Sequence, residues 1–311
     1  AIDGAALADF AGRLDVQAVR DVAKEHLGEN CDVGPGDFAD AREAANFAVL
    51  FGLLQIGHGF RHELHELCGR GAARTITLGV TKLREDGLKA KRLREFTIEQ
   101  IRHVFGLPNN EALHEFTLQL LTVLRQAGKE LERAGDADFD AFCRRVLDSE
   151  EAAVAPAATM VRGLANAFPA FNDQGTLDDG RRVVFLKKAT LAVGELHRLA
   201  SPRDELYRMS DDIAGAIAPV DNVIPAVLVF HNVLRLSDGL FSAIHKGRRP
   251  LPRGPREVEL RAAALVACER IVRAVGSGFS ALDLGYYLWL SGKVPEIRRF
   301  ARHHTKDTIF Y

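Results

Sequence analysis

Asp221 is the residue whose setting most suggests chemistry. It follows Ala216-Ile217-Ala218-Pro219-Val220 and precedes an apolar run (Val227, Leu228, Phe230, Val233, Leu234, Leu236, Leu240) at roughly helical spacing. A carboxylate is thus delivered into apolar surroundings just before an expected buried helix. Such a group is either a helix N-cap or a functional acid. Aspartate is a favoured cap and Pro225 suits a first turn, so local pattern alone leaves both readings open.

Three other groups compete for attention. His58, His62 and His65 stand at i, i+4 and i+7, which on one continuous helix would present three imidazoles to a zinc ion. Gly57 and Gly59 loosen the chain at His58 and no fourth ligand is evident, so polar or substrate-facing histidines are expected and a metal is not. Lys246, Arg248, Arg249, Arg253 and Arg256 make a basic loop without the aromatic residues that a nucleic-acid surface uses, so a solvated loop is expected. Phe105-Gly106-Leu107-Pro108 resembles a helix-hairpin-helix turn only weakly. There is no Walker loop, no GxGxxG after a strand and no GxSxG elbow, so nothing in the sequence asks for a nucleotide or dinucleotide cofactor.

The elements that must position these residues are mostly helical. The chain has 311 residues, 47% of them hydrophobic, enough for a sizeable core. The net charge of −1 gives no global attraction to nucleic acid or membrane, and no uncharged apolar run approaches the ~20 residues of a membrane span. The first residues lack a signal-peptide pattern, and Cys31, Cys68, Cys143 and Cys268 are widely separated with no CxxC pair. A cytoplasmic protein is expected.

Helical spacing runs from Leu7 to a break near Gly28. Thr97-Ile98-Glu99-Gln100 is a capping box for a helix ending at Gly106, and Asn110 opens a long helix through Leu131. Helices are further expected over 136–147, 152–168, 187–199 and 204–217, after Pro255, and after Ser280. Val183-Val184-Phe185 is the one strand-like run, a small β element near 182–186. The expectation is a mainly α chain forming a single compact domain over 1–311, with room for two lobes near 1–150 and 151–311.

Several stretches in one order resemble the queuosine salvage family, the queuosine 5′-phosphate N-glycosylase/hydrolase proteins. They are Phe168-Pro169, Gly180-Arg181-Arg182-Val183-Val184-Phe185-Leu186-Lys187-Lys188-Ala189, Asp221-x-x-Ile224-Pro225, Leu236-Ser237-Asp238-Gly239-Leu240, Lys246-Gly247, Glu257-Val258-Glu259-Leu260-Arg261, Leu284-Gly285-Tyr286-Tyr287-Leu288-Trp289, His304 and Ile309-Phe310-Tyr311. Earlier matches are thinner: Asn46-Phe47, Gly87, and Phe96 to Val104. The resemblance implies an all-helical, DNA-glycosylase-like architecture. It also implies hydrolysis of the N-glycosidic bond of a modified nucleoside 5′-monophosphate, with queuosine 5′-monophosphate releasing queuine first in mind. The implied partner is that small molecule, with no stable nucleic acid and no membrane.

By the same resemblance Asp221 takes the place of the catalytic carboxylate, Lys187 matches an active-site lysine, Asn46 and Phe47 match a segment beside the base, and His304 matches a histidine near the C-terminus. Glu195 and His197 stand where the family commonly has an aspartate and a tryptophan. Lys187 and His304, with Arg61 behind them, are the candidates for the phosphate, and His58 for the substrate side. The residue types suit the chemistry: an ionised carboxylate against C1′ can stabilise the oxocarbenium ion, attack it, or activate water. The family usually follows its aspartate with Tyr-Arg, an apolar residue and Pro-Gln. Here Asn222, Val223, Ile224, Pro225 and Ala226 stand instead, so the sugar side is kept and the base side is changed. The alternative reading is a non-catalytic or altered-specificity member that binds another nucleoside, nucleotide or protein partner.

Overall fold

The structure, a computed structural model, describes residues 1–22, 33–85, 88–213, 215–246, 250–276 and 278–311. The expected helix end near Gly28, Cys31, Gly87 and the 247–249 part of the basic loop lie outside the described residues. What is described is mainly α-helical, with one two-stranded antiparallel sheet. Among the described residues no helix is long and apolar enough to cross a membrane. The chain divides into two compact units, each discontinuous in sequence.

The first unit comprises Ala1–Leu27, Gln174–Lys187 and Ala214–Thr308. Its central element is the helix Pro255–Val275, begun by a proline at its first turn where a missing N–H costs nothing. Against it pack the helices Gly4–Gly12, Val223–Phe230 and Ala281–Ser291 and the strand Gln174–Thr176. Val258, Ala264, Leu265, Ala267, Cys268 and Ile271 from that helix share one apolar cluster with Val220, Val223, Ile224, Val227 and Leu284. The strands Gln174–Thr176 and Arg182–Val184 pair with Gln174 opposite Val184, a short hairpin at the place of the one strand-like run in the sequence.

The apolar run after Asp221 is not one helix. The helix Val223–Phe230 stops, Asn232 takes φ +60°, and a second helix, Asp238–His245, begins behind the Ser237 cap. The intervening Val233 and Leu234 pair instead with the start of the chain: Asp3 donates its amide to Val233, and Ile2 bridges Leu234. Strand-like pairing thus takes apolar residues whose spacing also suits a helix, and Asn tolerates the left-handed turn.

The second unit comprises Gly28–Asp173, Lys188–Ile213 and Ile309–Tyr311. The helix Ala41–Leu53 is buried almost all round and packs on the helices Ala72–Glu85 and Phe139–Leu147. The Thr97–Gln100 capping box forms, and its helix ends on Gly106 at φ +58°. Asn110 caps a single 3-10 turn that leads into the helix His114–Ala134. At Gly128 this helix meets the backbone of Ala90–Arg94 so closely that a Cβ would lie 2.5 Å from Arg94 N. Pro156 divides the expected 152–168 helix into Glu150–Val154 and Pro156–Ala167. The 204–217 stretch is a 3-10 turn, Glu205–Tyr207, and one short helix, Ser210–Ile213. Side chains fix this stretch: the buried Tyr207 hydroxyl donates to Asp140 at 2.5 Å, and Arg144 bridges Asp140 and Asp204.

Candidate active site

Two of the expected residues meet in the first unit. The Lys187 ammonium lies 3.4 Å from Oδ2 of Asp221, with 4% and 1% of the two side chains exposed. The other carboxylate oxygen, Oδ1, accepts the Val223 amide at 2.7 Å. Asp221 thus makes a bond of the kind a capping residue makes, although the N-cap position itself is Asn222. One oxygen satisfies an orphan donor at the start of the helix Val223–Phe230, and the other faces a buried cation. A carboxylate so placed is also favoured by the positive end of the helix dipole. Burying two ions costs several kcal/mol each, roughly offset by their mutual attraction only when the geometry is good. Such a pair contributes little net stability, so its presence asks for a chemical reason.

Each partner reaches this position by irregular backbone. Lys187 opens the helix Lys187–Ala200, and the residue before it, Leu186, takes φ +48°. A leucine in the left-handed region is strained and persists only where its surroundings determine it. Asp221 follows Pro219, which keeps the preceding residue out of the helical region. Beside it, Asn222 donates its side-chain amide to the His303 carbonyl at 3.0 Å, and the His304 carbonyl accepts the Leu251 amide at 2.7 Å. The stretch that carries His304 is thus tied to the residue next to Asp221. A small open pocket in the same unit is lined by Pro225, Ala226 and Val229 of the Val223–Phe230 helix and by His245, Phe300 and His303 among others. Neither Asp221 nor Lys187 is in its lining.

The remaining expected residues lie in the second unit. Asn46 uses its side chain locally: Oδ1 accepts the amides of Phe139 (2.9 Å) and Asp140 (3.3 Å), and Nδ2 donates to the Arg42 carbonyl. Phe47 is buried against Phe38 and Phe51, at ring separations of 5.2 and 5.9 Å. His58 sits in a 3-10 turn after Gly57, and its ring lies 6.3 Å from that of Tyr311. The helix Arg61–Cys68 starts only afterwards, so His58 is not on one helix with His62 and His65. Arg61 is half-buried at that helix start. Among the described residues no group of three or more His, Cys, Asp or Glu is arranged to hold a metal ion.

Glu195 is fully buried. Its desolvation pushes the carboxyl above its ordinary value, although Arg198 at 2.8 Å pulls the other way. His197 accepts the Met209 amide at 3.1 Å and lies near the Tyr207 carbonyl.

The sequence pattern assigns no role to Leu186, Glu257 or Arg261. Leu186 leaves no sequence signal, because its conformation is imposed from outside. Glu257 and Arg261 do leave one: an acid and a base at i, i+4 among Val258, Leu260, Ala264 and Leu265, charges on a face that is otherwise core.

The family described as queuosine salvage protein matches residues 76–311. A Sphaerobacter thermophilus protein named queuosine 5′-phosphate N-glycosylase/hydrolase is 31% identical over 195 residues, covering 61% of this chain and 59% of the relative. Proteins of the same name from Mus musculus and Bos taurus are 21% and 22% identical, each over 68% of this chain and covering 60% and 59% of their own lengths. The chain spans about 60% of the length of these relatives. The matched segment includes Lys187, Asp221, Arg261 and His304 and takes in more than half of the chain; the chain belongs to the queuosine salvage protein family.

Proposed function

We propose that the chain hydrolyses the N-glycosidic bond of a modified nucleoside 5′-monophosphate, with queuosine 5′-monophosphate as the first substrate to test. The observation that carries the reading is the buried Lys187–Asp221 pair in a chain of this family. In this reaction the C1′–N bond to the base breaks and positive charge gathers on C1′. The Asp221 carboxylate stabilises that charge, and the water that bonds to C1′ keeps one hydrogen as the new C1′ hydroxyl and gives up the other, so that one proton in all passes to the departing nitrogen. Electrostatic stabilisation of this kind depends on a fixed anion in a dry site. Lys187 suits it in two ways: an ammonium at this distance favours the carboxylate anion, and it holds the oxygen in place.

Queuine, a 7-deazapurine, has no N7 to protonate, so donors to its other heteroatoms must assist its departure. His304 enters the reading as the phosphate-side candidate through its tie, by way of His303, to Asn222. Substrate-binding roles for Asn46, Phe47, His58, Arg61, Glu195 and His197 rest on the family resemblance. A small-molecule partner and a cytoplasmic setting go with this reading, in keeping with the free thiols of Cys68, Cys143 and Cys268. The test is incubation with queuosine 5′-monophosphate, queuosine and ordinary nucleotides, with free base followed by chromatography. Base released from the first and not from the last supports the reading. Tight binding with no base released favours a non-catalytic member of altered specificity.

A further inference from the structure

Two separate chain segments must be held in register for Lys187 and Asp221 to meet. One arrives from the hairpin through Val184, Phe185 and Leu186; the other arrives through Pro219 and Val220. Both are gripped by the same side chain. Arg261, on the central helix of the first unit, donates from Nε and Nη2 to the Val220 carbonyl at 3.2 and 3.0 Å. Val220 immediately precedes Asp221. The guanidinium carbon lies over the Phe185 ring, 3.9 Å from its centroid. Phe185 stands two residues before Lys187. Glu257, one turn earlier, accepts from Nη1 at 3.4 Å and keeps the buried charge balanced. All four residues are within 2% of complete burial.

The geometry points to Arg261 as the positioning residue of the Lys187–Asp221 pair, acting through Val220 and Phe185. This inference rests on the hydrolase reading above. A planar guanidinium alone combines the required features: two parallel donors along one edge and a flat cationic face for an aromatic ring. The helix and the turn before it support the same grip. Arg253 Nη2 donates to the Gln174 carbonyl at 2.8 Å. At Gly175 the hairpin approaches Val258 so closely that a Cβ would fall 2.3 Å from its methyl carbon. The hairpin is therefore anchored at 258 and 261 on the helix and at 253 just before it, and Leu186 is the next link. Its strained φ of +48° is retained because Phe185 on one side is fixed and Lys187 on the other has an ionic partner. A pair whose members are 34 residues apart in sequence thus has its separation set by a third residue.

The test compares Arg261→Lys, the double variant Arg261→Met/Glu257→Gln, and Leu265→Ala, using queuosine 5′-monophosphate turnover and amide hydrogen exchange. The double variant removes both charges together, so no buried ion is left uncompensated and the fold survives. Its expected kcat is about 100-fold below wild type with KM within about threefold, since a displaced catalytic group costs rate more than binding. Arg261→Lys keeps the charge and one donor and is expected to recover about tenfold of that loss. Leu265→Ala, one turn further along the same helix and in the same core, removes apolar packing but none of the bonds to Val220 or the ring contact with Phe185, and is expected to lower stability and keep kcat. Exchange at the Val223 amide, which Asp221 holds, is expected to rise by about tenfold or more in the double variant. Wild-type kcat and unchanged Val223 exchange in the folded double variant would overturn the inference, as would a kcat loss in Leu265→Ala equal to that of the double variant. Asp221→Asn, assayed alongside, separates the two ideas. If it turns over normally, the catalytic role of Asp221 fails, while the exchange result still decides whether Arg261 positions the carboxylate.

Discussion

At the residue scale Asp221 divides its two oxygens between a backbone amide and an ammonium. The amide bond is what an N-cap would make, and the ammonium is what an N-cap does not need. Removing one member of a buried pair leaves the other charge stranded, at a cost of about 3–5 kcal/mol. Lys187→Met is therefore expected to lower stability by that amount, read from chemical denaturation. Lys187→Met/Asp221→Asn, which removes both charges, should return to within about 2 kcal/mol of wild type while remaining inactive. A double variant as unstable as Lys187→Met would mean that the pair itself holds this part of the fold.

At the scale of elements, Asn46 shows how one residue type can carry two meanings. Its position one residue before Phe47 marks it as base-side by resemblance, yet its side chain closes the start of the Phe139–Leu147 helix. Asn46→Ala is expected to destabilise the fold by about 1–3 kcal/mol through two orphaned buried amides, measured as a lower Tm. Asn232, at φ +60°, ends the Val223–Phe230 helix, and Asn232→Val should cost about 1–2 kcal/mol where Asn232→Gly costs almost nothing.

Much of this level was legible beforehand: the capping box at Thr97, the proline start at 255 and the short strand before Phe185 are written in local residues. The break after Phe230 was not, because Val233 and Leu234 suit a helix and are claimed by pairing with Asp3 and Ile2, more than two hundred residues away in sequence. Nor was the shortening of the 204–217 helix, which depends on Tyr207 reaching Asp140. In the site, residue types marked Asp221 and resemblance marked Lys187. The Glu257–Arg261 spacing was readable, but the role of Arg261 was not, because its other partners are a backbone carbonyl and a ring from distant segments.

At the scale of the whole molecule, stability should follow pH partly through Glu195. Burial raises its carboxyl above the ordinary 4.5, so the folded state binds its proton more tightly than the unfolded chain does. Its favourable share is complete below that ordinary value and is lost as pH rises through the folded one. The stability of wild type relative to Glu195→Gln, read as the difference in Tm, should therefore fall as pH rises above about 4.5. An advantage that widens over this range would show that the ion pair with Arg198 outweighs burial.

The central claim is that the buried carboxylate at 221 performs the chemistry of a family whose landmarks run through most of this chain. It is tested most directly by base release from queuosine 5′-monophosphate, comparing wild type with Asp221→Asn whose near-ultraviolet circular dichroism shows it to be folded. The account predicts free queuine from wild type and a loss of about 10³-fold or more in the variant. Undiminished release by the folded variant would contradict it.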